Sequence, residues 1–184
     1  MIDLGNGLCN GHHHQQVADL ARVIAEEMGL REIQVCGICM TALLHDIGKV
    51  WLRPEVLSKP TPLTDMEFGI IRSHPETGYT ICKAMGLPPS VAKAVLQHHE
   101  RMDGSGYPQG LRGEDITLWA RILAVADVVA AMTSQRPYRP AYTIDEAVKE
   151  VARNKGSLYD PKAVDACLKL FDSGRLTSVL RDNG

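Results

Sequence analysis

The seven histidines of the chain fall in four places: His12-His13-His14, His45, His74 and His98-His99. Two aspartates, Asp46 and Asp127, sit at the end of or inside apolar runs, where a carboxylate is unusual. The stretch "LLHDIGK" (43–49) sets His45 beside Asp46 just where an apolar helix should stop, with Lys49 three residues on. Burying such groups without a charged or metallic partner costs free energy. A lone buried histidine is more often a satisfied core residue than a ligand. A lone buried aspartate is more often a cap or half of an ion pair. Six such groups on separate helices are satisfied together by a polynuclear metal site, which bundle cores build from facing helices.

The ligand types are imidazole and carboxylate, without thiolate, which favours Fe, Mn, Zn, Ni or Co over a structural cysteine–zinc site. Two metals sharing a carboxylate and a water suit phosphoester hydrolysis, because they acidify the water and steady attacking and leaving oxygens. Lys49 is expected about one helical turn from the site, where it could pair with a substrate phosphate or a leaving alkoxide.

Helices must position these groups. Val17, Leu20, Ala21 and Ile24 follow helical spacing, and that run stops near Gly29. Ile33 to Leu44 reads as a buried helix ending at His45-Asp46. Residues 51–63, with Pro54, Pro60 and Pro62, read as a loop. Thr64 and Glu67 form a capping-box pattern that opens a helix over about 65–84, with a boundary before Pro75. Further helices are expected from Pro88-Pro89 to about residue 101, over Leu118 to Met132, and near 144–154 and 161–171, with a Gly-rich loop over 102–117. No alternating strand pattern or internal repeat is present. The fold class is all-α, a single helical bundle with a central metal site.

A length of 184 residues suits one domain, expected over 1–184 with a core from about 13 to 172 and a C-terminal tail over 173–184. Apolar residues make up 45% and the formal net charge is -2, so the basic footprint of a protein that coats long nucleic acid is missing. No apolar run reads as long enough to span a membrane, and "MIDLGNGLCNG" does not read as a signal peptide. Five cysteines without regular spacing argue against a disulfide framework and fit a cytoplasmic setting. Cys36-Gly37-Ile38-Cys39 is a lone CxxC, read as two small core residues on one helix face rather than a zinc or redox pair.

His45-Asp46-Ile47-Gly48-Lys49, His74-Pro75, "HHERMDGSGYPQG" (98–110), Asp127 and "RPYR" (136–139) together resemble the HD-GYP domain family, from about His13 to about Pro161. The resemblance implies an HD-type helical bundle and a bacterial phosphodiesterase of cyclic di-GMP. It implies two divalent transition-metal ions, Fe or Mn favoured over Zn, Ni or Co, and cleavage to linear pGpG by a metal-activated hydroxide. His45, Asp46, His74, His98, His99 and Asp127 match the metal ligands, with Asp46 as the bridging carboxylate. Lys49 matches a lysine at the scissile phosphate, so Lys49 and Asp46 are the expected catalytic residues. Arg136 and Arg139 match a basic motif that would contact the dinucleotide. Gly106, Tyr107 and Pro108 match the loop proposed to dock GGDEF-type partners. His13, 32 residues before His45, matches the family's first histidine, a metal or phosphate contact. The family also implies fusion to, or regulation by, a sensory or receiver domain.

Two positions depart from the pattern. Cys9 stands where many relatives carry a glutamate that holds a third metal, and Ala130 where many carry a second acidic residue. Cys9 offers sulfur to a site that wants hard oxygen, so a binuclear centre that stops at pGpG, with only slow onward cleavage to GMP, is expected. Two other readings stay open. One is an HD-type hydrolase of another nucleotide, such as cyclic GMP-AMP or a linear nucleotide. The other is a module that binds cyclic di-GMP without cleaving it, which the intact ligand set disfavours.

Overall fold

The computed structural model describes residues 11–57, 59, 61, 63–135 and 140–181. Among them the chain forms helices and turns with no strand, as expected. The helices are α1 (Gly11–Glu27), α2 (Glu32–Leu44), α3 (Pro54–Leu57), α4 (Asp65–Ile71), α5 (His74–Ala84), α6 (Pro89–Gln97), α7 (Leu118–Thr133), α8 (Ile144–Arg153), α9 (Pro161–Asp172) and α10 (Arg175–Arg181). A five-residue 3-10 segment, Ile47–Trp51, follows α2.

α7 is the hub of the main core. Ile122, Leu123, Val125, Ala126, Val129 and Ala130 are all buried in it. Val17, Leu20, Ala21 and Ile24 meet it from α1, and Val35, Ile38 and Ala42 from α2. Gly37 lets α2 come close, because a Cβ there would lie 2.3 Å from the Trp119 ring. α5 and α6 pair through a smaller cluster of Cys82, Ala92 and Val95, and Leu52 and Ile71 centre a third.

Local chemistry sets the helix ends. The Thr64 hydroxyl accepts from Glu67 N at 3.3 Å, while the Glu67 carboxylate accepts from Thr64 N at 2.8 Å, so the expected capping box forms. The same device opens α8 at Thr143 and Glu146. Asp160, buried at 3% exposure, accepts from Lys162 N and Ala163 N at the start of α9 and from Arg121 Nη1 at 2.7 Å.

Several expectations change. α6 ends at Gln97, so His98 and His99 lie in the turn beyond the helix rather than inside one running to 101. The loop over 51–63 holds the single turn of α3. The expected tail folds as α10, because Leu176 and Leu180, one turn apart, bury against the main core. Cys36 is exposed and Cys39 only half-buried, so the CxxC is not a pair of core residues. Glu32–Trp51 does have the length and mean hydropathy, 1.3, of a membrane span, contrary to the sequence reading. It does not run as one α-helix, since α2 stops at Leu44 and the chain turns at His45-Asp46. One face of this stretch, Val35, Ile38 and Ala42, packs into the core.

Candidate metal centre

His45, His74 and His98 each sit at or just past a helix end, and each is oriented in the same way. Nδ1 lies 2.6 Å from Ala42 O in His45, 2.7 Å from Ile71 O in His74 and 2.7 Å from Val95 O in His98. In every case the acceptor is the carbonyl three residues back. A carbonyl only accepts, so Nδ1 carries a proton, and Nε2 is the ring nitrogen turned into the centre. A backbone carbonyl orienting a histidine in this way is the usual outer partner of a metal-ligating ring.

Asp46 stands between two groups of such atoms. Its Oδ1 lies 3.2 Å from His74 Nε2 and 3.9 Å from His98 Nε2. Its Oδ2 lies 3.4 Å from His45 Nε2, 3.7 Å from His14 Nε2 and 2.7 Å from Lys49 Nζ. Asp127 Oδ1 is 3.2 Å from His13 Nε2 and 4.0 Å from His45 Nε2. Asp46 with His74, His98 and His99 offers ligand atoms within 4.8 Å of one another, as do His13 with His45 and Asp127.

The donor set fits a metal ion on three counts. His74 Nε2 and His98 Nε2 are 3.2 Å apart, and with each Nδ1 given to a backbone carbonyl both rings turn their remaining nitrogen to the same point. Asp46 Oδ1 and His99 Nδ1 are buried and accept or donate no hydrogen bond among the described residues. Burial and the neighbouring imidazoles also hold His98 and His99 well below the usual histidine range, and so neutral. Burial opposes charge on His45, yet Asp46 and Asp127 raise its pKa to about 9. Burial likewise opposes charge on Asp46, but Lys49 and His45 hold its carboxyl well below the usual range. The two carboxylates therefore demand positive charge, which a divalent ion supplies more fully than one imidazolium.

Close packing explains the glycines of the motifs. A Cβ on Gly48 would lie 1.9 Å from His74 O, so only glycine lets the turn after Asp46 sit against the start of α5. A Cβ on Gly106 would lie 2.5 Å from His99 O and from Glu100 Cα. This places the Gly106-Tyr107-Pro108 loop on the backbone of the histidine pair, and the Tyr107–Pro108 peptide is cis. The Tyr107 ring stacks on His99 with centroids 4.7 Å apart, and Arg72 lies 5.1 Å over the Tyr107 ring. Glu100 ties the loop down: at 2% exposure, its carboxylate accepts from Gln109 N at 2.7 Å and Leu111 N at 2.9 Å.

The structure thus brings together His13, His45, Asp46, Lys49, His74, His98, His99 and Asp127, with Tyr107 against His99. Arg136, Arg139 and Cys9 lie outside the described residues. Sequence reasoning gave no role to His14, which shares the first turn of α1 with His13, or to Glu100, which stands inside the run "HHERMDGSGYPQG".

The family profile described as HD domain matches residues 1–163. The chain is 44% identical over 157 residues to the cyclic di-GMP phosphodiesterase response regulator RpfG of Xanthomonas campestris pv. campestris, a match covering 84% of this chain and 42% of the relative. It is 43% identical over 171 residues to a cyclic di-GMP phosphodiesterase of Thermotoga maritima, covering 92% of this chain and 46% of the relative. The chain therefore spans less than half the length of these curated relatives. A solved cyclic GMP-AMP specific phosphodiesterase from V. cholerae superposes with a TM-score of 0.72 at 21% identity, covering 91% of this chain and 45% of that one, which shows a shared fold. With the profile spanning most of the chain, the protein belongs to the HD-domain family.

Proposed function

We propose that the chain is the HD-GYP catalytic unit of a metal-dependent phosphodiesterase that opens cyclic di-GMP to linear pGpG. The observation that carries this reading is the division of Asp46 between two sets of ligand atoms, Oδ1 facing His74 and His98, Oδ2 facing His45 and His14. His45, His74 and His98 each have only Nε2 to give, since Nδ1 is spent on a backbone carbonyl. Such a set would hold two ions with Asp46 shared between them, Fe or Mn favoured, with Zn, Ni or Co as alternatives. When bound, the ions acidify a water and draw charge from the phosphoryl oxygens.

The side chains of this protein supply the rest. Lys49 Nζ, 2.7 Å from Asp46 Oδ2, is placed to meet a phosphate oxygen beside that carboxylate. His13 reaches Asp127 and completes the more open side. Tyr107 covers His99 and keeps bulk water from the buried side, and burial raises its phenol, which stays neutral. Arg136 and Arg139 grip the dinucleotide. A GGDEF-type partner docks on the loop around Gly106-Tyr107-Pro108, where Asp103, Ser105 and Gln109 face solvent. In the whole protein the unit answers to a sensory or receiver domain and works in the cytoplasm. Four described cysteines, Cys36, Cys39, Cys82 and Cys167, are free thiols, as that compartment requires.

The test is chromatography of products after incubating the Mn- or Fe-loaded chain with cyclic di-GMP, with cyclic GMP-AMP in parallel. The reading expects pGpG to accumulate, GMP to appear slowly and cyclic GMP-AMP to be the poorer substrate. An intact cyclic di-GMP pool overturns it.

A further inference from the structure

His14 is the imidazole of the centre to which the family resemblance gives no role, and the geometry singles it out. Successive residues on a helix point about 100° apart, so one of two adjacent side chains normally turns away from a given target. Here the first turn of α1 lies over the centre and both turn in. His13 Nε2 approaches Asp127 Oδ1 at 3.2 Å, and His14 Nε2 approaches Asp46 Oδ2 at 3.7 Å. Their ring centroids lie 6.1 Å and 5.2 Å from that of His45. The His14 side chain is only 14% exposed. At 3.7 Å its contact with Asp46 is longer than a hydrogen bond, so hydrogen bonding does not account for its inward setting.

His14, His45 and Asp46 offer ligand atoms within 4.8 Å of one another, a third group beside the two already described. His45 belongs to this group and also to that of His13 and Asp127. It has one nitrogen to give, because its Nδ1 donates to Ala42 O. One lone pair serves one ion, so these two groups are one site. We infer that His14 is a ligand of the ion on the Asp127 side of Asp46, alongside His13 Nε2, His45 Nε2, Asp46 Oδ2 and Asp127 Oδ1.

The inference rests on the binuclear reading above and deepens it. It gives the open side three imidazoles and two carboxylates, a set that suits Fe, Zn, Ni or Co better than a carboxylate-dominated site would. It also accounts for a second imidazole in the first turn of a helix that the family pattern asks to supply one.

The test is Co²⁺ titration of the metal-stripped full chain, with binding followed by calorimetry and by the visible absorption of the bound ion. The wild type takes up two Co²⁺ per chain. His14→Ala and His14→Gln keep one tight Co²⁺ and bind the other about ten- to a hundredfold more weakly, with a changed spectrum for that ion alone. Unchanged helical circular dichroism separates this from misfolding, and the glutamine variant preserves most of the side-chain volume. Two Co²⁺ bound with wild-type affinity and spectrum in both variants overturns the inference while leaving the binuclear reading intact. That result joined to a raised KM for cyclic di-GMP reassigns His14 to the substrate. A wild type that binds fewer than two Co²⁺ overturns the binuclear reading, and the His14 role with it.

Discussion

The two sides of Asp46 are built from the same residue types but are held differently. On one side His74 and His98 are 1% exposed, His99 is buried, and among the described residues no second carboxylate joins the group. Backbone carbonyls orient two of these rings, and the Tyr107 loop, anchored by Glu100, covers the third. On the other side the His13 side chain is 20% exposed, while His14 and Asp127 are each 14% exposed. There a second carboxylate, Asp127, adds charge, and His13 Nε2 reaches its Oδ1 at 3.2 Å. Lys49 also lies on the oxygen of Asp46 that faces the open side. The difference separates two tasks. On the proposed reading the closed side would retain an ion, and the open side would admit a phosphate and water.

The harshest way to break the comparison is to remove what both sides share. Asp46→Ala should release both ions and lower kcat by at least about 10³-fold, since several kcal/mol of charge stabilisation go with them. Elemental analysis should find the ions gone while circular dichroism still reports the helices, because the cores around α7 do not include Asp46. Next comes the contrast between sides. His98→Ala should remove one ion and lower kcat/KM by about 10³-fold, whereas His13→Ala should cost about 10- to 100-fold, the more open side having other donors to hand. Equal losses of metal and rate in the two variants would erase the distinction.

Lys49→Ala probes the open side without removing a ligand. It should lower kcat by about 10²-fold with metal content unchanged. Glu100→Gln probes the closed side from behind. Losing a charged acceptor for two backbone N–H groups should cost about 1–3 kcal/mol of stability, read as a lower melting temperature, with a smaller effect on rate. The gentlest change is Arg139→Ala, which should raise KM for cyclic di-GMP about tenfold and leave metal content alone. An unchanged KM would remove Arg139 from the dinucleotide site.

Much of this centre was legible because polar residues interrupt apolar runs. His45-Asp46 closes the apolar stretch of α2, and Asp127 is the lone charge between Ile122 and Met132 of α7. Thr64 and Glu67 announced α4 through a local pattern that needs no tertiary context. What failed to show was set by packing between distant segments. α10 is seven residues long, and its Leu176, Val179 and Leu180, which pack on the core, make too short a run to mark a helix by spacing alone. The end of α6 at Gln97 has no glycine or proline to mark it, and His98 turns its ring back to Val95 O just beyond it. His14 was hidden because spacing along one chain selects one histidine per helix face. Only the crossing of α1 over the centre brings both neighbours in. The part Glu100 plays shows only once the loop folds back and Gln109 N and Leu111 N donate to its carboxylate.

The central claim is that Asp46 joins two ions, one on each oxygen. Crystals of the chain loaded with Mn or Fe, measured on both sides of the metal absorption edge, test it most directly. The account predicts two anomalous peaks per chain, one among Asp46 Oδ1, His74, His98 and His99 and one among Asp46 Oδ2, His45 and Asp127. A single peak, or two peaks that do not share Asp46, would contradict it.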